Sequence, residues 1–146
     1  MKLSYKKLHQ DHLKITYRWI NLKSVRQNSI KKKKISLKDH KKWFSNNIKP
    51  KANFIRIIYQ GKIPIGIVRI EKKKNIYLIS YLITTKFRKK GYAFKALKNL
   101  INIFRKKNKK KIHAYVYKKN LPSKRIFEKL GFSIYKTYKK YIIYHN

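Results

Sequence analysis

Residues 76–104 read I-Y-L-I-S-Y-L-I-T-T-K-F-R-K-K-G-Y-A-F-K-A-L-K-N-L-I-N-I-F, and three local patterns follow one another in them. Residues 76–83 are apolar at nearly every position, as a strand at the centre of its sheet is. Phe87 to Gly91 is a basic loop. From Tyr92 the spacing turns helical, with Ala93, Leu97, Leu100, Ile101 and Phe104 on one face. A basic loop that enters a helix through a glycine aims several backbone N–H groups at one point, and the positive end of the helix dipole adds to them. The result is an anion site suited to a pyrophosphate. Gly91 lets a ligand approach the backbone, and Ala93 is small enough not to block it. A basic loop that meets a helix by chance explains the same residues, and only their neighbours decide between the two readings.

Downstream, the cations of Lys106–Lys111 suit a helix C-terminus. Residues 112–117 (I-H-A-Y-V-Y) form a strand, in which His113 is a structural residue. Asn120 caps a helix with Pro122 in its first turn and Gly131 just past its end. Residues 132–137 and 141–145 complete a hairpin; the tyrosines at 135, 138, 141 and 144 are read as two strands around a turn.

Upstream, residues 3–8 form a short strand, and Asp11 is the N-cap of a helix over roughly 12–21. A second helical turn covers 24–29, and Lys31–Lys34 is a solvated, mobile loop. Ser36 opens a capping-box-like Ser-Leu-Lys-Asp, and the helix runs through Trp43, Phe44 and Ile48, with Pro50 beyond its end. Strands follow at 53–59 and at 63–71, the second interrupted by Pro64 and Gly66, and 72–75 turn the chain into the central strand. The order is β-α-α-β-β-β-α-β-α-β-β, an α/β (α+β) class in which residues 1–146 make one domain.

Composition sets limits. There is no cysteine, so no disulfide, thiolate metal site or cysteine nucleophile, and the five histidines show no ligand spacing; no metal is expected. No apolar run approaches the ~20 residues of a membrane span, and the start of the chain has no signal-peptide core, so the cytoplasm is the expected compartment. Lysine and arginine number 42 against 4 aspartates and glutamates, a formal charge of +38. Such a surface attracts polyanions, and nonspecific, salt-sensitive attraction to RNA is expected from charge alone. Nucleic-acid or ribosome binding is one reading. Genomic drift towards A/T-rich codons is the other, and the even spread from Lys2 to Lys140 favours it.

The segments 88–93 (R-K-K-G-Y-A) and 120–132 (N-L-P-S-K-R-I-F-E-K-L-G-F), in this order and about 30 residues apart, resemble the GNAT superfamily of N-acetyltransferases. The order of elements matches along nearly the whole chain. The resemblance implies a central mixed, mostly antiparallel sheet flanked by helices, with acetyl-CoA as cosubstrate. It also implies that Arg88, Lys89, Lys90, Gly91, Tyr92 and Ala93 hold the CoA pyrophosphate, largely through backbone amides. Leu82, Ile83 and Thr84 would flank the pantetheine and thioester, where the strand splays from its neighbour. Asn120 would bond the pantetheine with Ser123 nearby, and Lys124 would meet a CoA phosphate. Phe127 stands in this cofactor site where many relatives carry a tyrosine that protonates the leaving thiolate, and it has no hydroxyl.

A narrower resemblance lies in W-I-N-L-K-S-V-R at 19–26 and I-S-L-K-D-H-K-K-W-F at 35–44. It is to the GNAT subgroup that acetylates nucleotide-linked amino sugars, such as the 4-amino-4,6-dideoxy sugars of the pseudaminic-acid pathway. Trp19, Asn21, Val25, Arg26, His40, Trp43 and Phe44 agree with that pattern, and Ile20 replaces an arginine. The implied acceptor residues are Trp19, Asn21, Arg26, His40 and Trp43. The plainer alternatives are core tryptophans, a surface Arg26 and an exposed helical His40. The region also resembles, less closely, acetyltransferases of ribosomal-protein N-termini.

The expected chemistry is attack of a neutral amine on the thioester, driven by positioning and by backbone N–H stabilisation of the oxyanion near Ile83. The base is His40, whose ordinary pKa suits the task, or Glu71 at the end of a strand. The expected partner is a small-molecule amine, on a nucleotide-linked sugar, and the enzyme is a monomer or homodimer. A ribosomal-protein or peptide N-terminal acetyltransferase, and a basic RNA-binding module on a degenerate scaffold, are the alternatives.

Overall fold

The computed structural model describes residues 2–49 and 53–146. Seven strands form one sheet in the order β1-β2-β3-β4-β5-β7-β6: β1 (Leu3–Lys7), β2 (Phe54–Gln60), β3 (Ile63–Lys73), β4 (Ile76–Ile83), β5 (Ile112–Tyr117), β6 (Ser133–Thr137) and β7 (Tyr141–His145). All neighbours are antiparallel except β4 and β5, which are parallel. Helices α1 (Leu13–Ile20), α2 (Lys23–Gln27) and α3 (Leu37–Ile48) cover one face of the β1–β4 half. Helices α4 (Tyr92–Arg105) and α5 (Leu121–Lys129) cover the other face. This is the mixed, mostly antiparallel sheet flanked by helices that the sequence implies.

β4 is the fourth of seven strands, as its apolar composition requires. Alternate side chains point to opposite faces of a strand. Tyr77, Ile79 and Ile83 pack with Ala96, Leu97, Leu100 and Phe104 of α4, while Leu82 joins Trp19, Phe44 and Ile57 on the opposite face. Leu97, Leu100 and Phe104 are at most 1 % exposed, and each such side chain contributes about 1.5–3 kcal/mol by leaving water. β4 is therefore clamped from both sides and along its whole β3 edge, where it pairs from Ile76 to Ile83.

Several local expectations are corrected. Asp11 is not the N-cap of the first helix. His9 caps instead: its side chain accepts from the Asp11 N–H at 3.2 Å, and the His9 N–H donates to His12 Nδ1 at 2.9 Å. The chain enters as a 3-10 turn over Gln10–His12 before α1 begins. β3 runs unbroken through Pro64 and Gly66, because a register shift at Ile58/Tyr59 of β2 absorbs the irregularity. The lysine loop 31–34 is pinned by Arg26, which donates to the Lys31 and Lys33 carbonyls. Ser36 caps α3 as read, accepting from the Asp39 N–H at 3.1 Å. Pro50 lies outside the described residues.

Gly66 lies opposite Ile83, and a Cβ there would stand 2.2 Å from the Leu82 carbonyl oxygen and 3.2 Å from the Ile83 Cα. Only backbone could yield. Gly66→Ala should lower the melting temperature by an amount equivalent to about 1–3 kcal/mol or more. An unchanged melting temperature would show that β4 is free to shift against β3.

Candidate active site

The parallel pairing of β4 and β5 is short. It is confined to Tyr77 with Ile112 and Leu78 with His113. β5 is then drawn off by β7, with which it pairs from His113 to Tyr117. β4 keeps its course along β3 to Ile83. A wedge therefore opens beside residues 79–83, bounded by β4 on one side and by β5 and the start of α5 on the other.

The basic loop closes the end of β4. Thr84 is tied back to β3 by its N–H and its hydroxyl, both donating to the Ile65 carbonyl at 2.9 and 3.1 Å. A 3-10 turn over Thr85–Phe87 follows, and Arg88 Nε returns to the Ile83 carbonyl at 2.8 Å. Lys89 and Gly91 both take left-handed backbone, at φ 60° and 79°, a conformation that costs a glycine little. Gly91 is the N-cap of α4 and offers no side chain to its first turn. The N–H groups of Tyr92, Ala93 and Phe94 therefore have no intrahelical acceptor, and they lie beside Lys89 and Lys90, which are exposed. The Tyr92 side chain turns into the core, where its hydroxyl accepts from Gln60 Nε2, so only its backbone faces the loop.

Across the wedge, Asn120 Oδ1 accepts from the Ser123 N–H at 3.4 Å, which caps α5. Asn120 Nδ2 lies 3.5 Å from the Asn28 carbonyl. Ser123 and Phe127 are buried, and Lys124 is half-buried on the next helical position. Tyr81 of β4 reaches over, its hydroxyl 2.6 Å from Ser123 Oγ. Ile83, Thr84 and the 88–93 loop thus lie on the β4 side of the gap and Asn120, Ser123, Lys124 and Phe127 on the α5 side, while the Leu82 side chain points into the α1–α3 layer.

The helical face opposite α4 holds a second group. Trp43 Nε1 donates to Glu71 Oε2 at 3.0 Å, Arg69 Nη1 lies 3.6 Å from Glu71 Oε1, and Arg69 Nε donates to Ser80 Oγ at 3.0 Å. The Arg69 guanidinium also sits 5.3 Å from the Trp43 ring centroid. Sequence reasoning found Trp43 and Glu71 but missed Arg69 and Ser80. The period-two spacing of Arg69 and Glu71 on β3 was the available signal.

His40 is not an exposed helical residue: it is 5 % exposed, between Tyr17 and Trp43, with Nε2 2.9 Å from Thr16 Oγ1. Thr16 gives its proton to the His12 carbonyl at 2.7 Å, so His40 Nε2 is the donor in that pair. Burial lowers the His40 pKa. Trp19 is 4 % exposed and belongs to the core. Asn21 clamps Ile35 through both backbone groups, at 2.8 and 2.9 Å. Arg26 is not a surface cation: it donates to the carbonyls of Ile20, Lys31 and Lys33 and to Ser29 Oγ. The tryptophan–asparagine–arginine pattern therefore builds the 28–35 loop, and Lys32 rests 3.3 Å from the Tyr117 ring centroid. Among the described residues, no group of three or more histidine, aspartate or glutamate side chains is placed to hold a metal.

The sheet thus opens between two parallel strands, with a helix N-terminus at the mouth, an arrangement in which an anionic group can meet free backbone N–H groups. An acetyltransferase (GNAT) domain model matches residues 2–133, and the chain belongs to that family. No curated protein matches the chain in sequence. Among solved structures, a domain from Methanocaldococcus jannaschii aligns with 99 % of this chain and 97 % of its own, at 19 % identity and a TM-score of 0.85. Spermidine N-acetyltransferase from Vibrio cholerae, in complex with CoA and spermine, aligns over 98 % and 92 % at 15 % identity and a TM-score of 0.80. The ribosomal-protein alpha-N acetyltransferase RimL, in complex with coenzyme A, aligns over 100 % and 94 % at 13 % identity and a TM-score of 0.83. At these identities the solved structures establish the fold.

His12, His40 and His113 all have pKa values lowered from 6.5, burial being the largest cause in each. Each binds its proton less readily folded than unfolded. Their contribution to stability is therefore present above 6.5 and lost as pH falls through the lowered values. The melting temperature should fall between about pH 7.5 and about pH 5, and His40→Asn should flatten that slope. A melting temperature independent of pH over this range would contradict the placement of these rings.

Proposed function

We propose that this GNAT-family enzyme transfers acetyl from acetyl-CoA to the primary amine of a negatively charged acceptor, and that the acceptor is the 4-amino group of a nucleotide-linked aminodeoxy sugar. The observation that supports cofactor binding is the wedge beside residues 79–83 with the Gly91 N-terminus of α4 at its mouth. In this reading residues 1–146 act as one catalytic domain. The first-turn amides of α4, with Arg88, Lys89 and Lys90, hold the pyrophosphate. The pantetheine lies along Leu82, Ile83 and Thr84, and Asn120, Ser123, Lys124 and Phe127 close the other side.

The charge supports the acceptor class. With 42 cationic residues and 4 carboxylates, the surface repels a polyamine and draws in a phosphate-bearing molecule. The acceptor enters from the face of α1–α3, past the loop that Asn21 and Arg26 hold in shape, towards Trp43 and His40. Spermine, bound by the Vibrio cholerae neighbour, is the wrong sign for this protein. A ribosomal-protein or peptide N-terminus is the second reading, favoured by the same charge because such substrates sit among RNA. An RNA-binding module without catalysis has no use for both an open Gly91 loop and the Asn120 cap. Among the described residues no helix is long and apolar enough to cross a membrane, and we place the enzyme in the cytoplasm.

Glu71 is the base in this reading. Asp11 and Asp39 are exposed at helix starts, and Glu128 accepts the Tyr144 hydroxyl at 3.1 Å on the far face. Glu71 alone is buried beside the acceptor group, and it takes the amine proton through water. His40 donates through Nε2 to Thr16, and its ring stacks on Trp43 and positions it.

Gly91→Glu places a negative charge where the pyrophosphate docks, in space with nothing within 4 Å. It should weaken acetyl-CoA binding by about 100-fold; unchanged affinity in a titration would reject the loop assignment. Glu71→Gln should lower kcat by about 100-fold, while His40→Ala should act mainly on the melting temperature; the reverse pattern would restore His40 as base. Thiol release should favour nucleotide-linked amino sugars over spermidine by about tenfold or more in kcat/KM. Preference for spermidine would overturn the acceptor class.

A further inference from the structure

Acetyl transfer releases CoA as a thiolate, and the wedge must supply its proton. Phe127 of α5 has a buried ring with no polar atom, packed among Tyr81, Phe132 and Tyr144. Tyr81 lies on the stretch of β4 that β5 has left, and its side chain crosses to α5. Its hydroxyl is 2.6 Å from Ser123 Oγ, and its ring centroid is 6.2 Å from that of Phe127. Ser123 is 6 % exposed and fixed in the first turn of α5 by the Asn120 cap. A half-buried and a buried hydroxyl therefore bridge the two walls of the wedge, beside the strand residues that flank the thioester in the proposed function. Burial raises the Tyr81 phenol above 10.0, against the opposing effects of the Ser123 hydrogen bond and the Arg88 charge. The phenol thus keeps its proton at neutral pH.

We propose that Tyr81 protonates the departing CoA sulfur, with Ser123 holding its hydroxyl in position. The inference rests on the acetyl-transfer reading above. Once the amine nitrogen has bonded to the acetyl carbon and lost its proton, the carbon–sulfur bond breaks and the sulfur keeps the electron pair. The Tyr81 O–H bond breaks as the S–H bond forms. The phenolate is stabilised by the Ser123 hydroxyl and the Arg88 charge until water reprotonates it. Phe127 supports the ring from the side and takes no part in the proton transfer.

The test measures thiol release as acetyl-CoA is varied up to saturation, with a nucleotide-linked amino sugar as acceptor, for wild type, Tyr81→Phe, Ser123→Ala and the double variant Tyr81→Phe/Phe127→Tyr. Tyr81→Phe should lower kcat by about 100-fold with little change in the KM for acetyl-CoA. Ser123→Ala should lower it by about threefold to tenfold. The double variant, which returns a hydroxyl to the wedge from the α5 side, should recover most of the rate. Full kcat in Tyr81→Phe would overturn the inference, and so would a loss that follows the KM and is not recovered by Phe127→Tyr. Should Tyr81→Phe fail to fold, an unaltered kcat in Ser123→Ala would overturn it. No thiol release from wild type with any amine would instead overturn the acetyl-transfer reading on which it stands.

Discussion

The rest of this structure depends on where β5 stops pairing with β4. Two register pairs hold the parallel strands together, and then β7 draws β5 away. A sheet edge in the interior of a protein leaves backbone groups without partners, and unpaired buried groups cost stability. The opened edge is kept from collapsing by what surrounds it. β3 pairs β4 along its whole length, α4 packs under it, and the Tyr81–Ser123 contact props the two walls. The wedge thus leaves the β5-facing edge of β4 beyond Leu78 without a strand partner, the edge along which the proposed function lays the cofactor arm. Gly66 belongs to the same device, since only a residue without a side chain lets β3 follow β4 to its end.

The two faces of the sheet divide the work. On the α4–α5 face, dipole, lysines and open amides converge on the mouth of the wedge. On the α1–α3 face, Trp43, Arg69, Glu71 and Ser80 form one connected polar group beside the apolar cluster of Trp19, Phe44, Ile57 and Leu82. A buried polar group is retained where its members satisfy one another, and here each has a partner. The placement of a carboxylate in this cluster matters because the chain has only four. The remaining charge is spread over the surface and sets which molecules approach rather than what happens to them.

Much of the fold was legible. The strands at 76–83 and 112–117 match their apolar runs to the residue, and the α3 and α5 caps follow from Ser36 and Asn120. The loop at 88–93 was legible because it lies wholly within one local strand–loop–helix unit. What escaped the sequence depended on distant partners. The role of His9 as a cap needed His12 to turn back on it. The unbroken course of β3 needed the register shift in β2. The pattern at 19–26 was legible but its structural work was not: Asn21 and Arg26 spend their hydrogen bonds on the backbone of the 31–35 loop. Tyr81 escaped because nothing in I-S-Y-L-I tells which tyrosine will find a serine 42 residues away.

Hydrogen exchange at individual amides tests the central claim, that the wedge receives the arm and pyrophosphate of acetyl-CoA. On addition of saturating acetyl-CoA, the amides of β4 between Ile79 and Ile83 that face the wedge, and those of Gly91, Tyr92 and Ala93, should become protected, while β1 and β6 stay as they were. Protection confined to other regions, or no change at these amides in the presence of bound cofactor, would contradict the account.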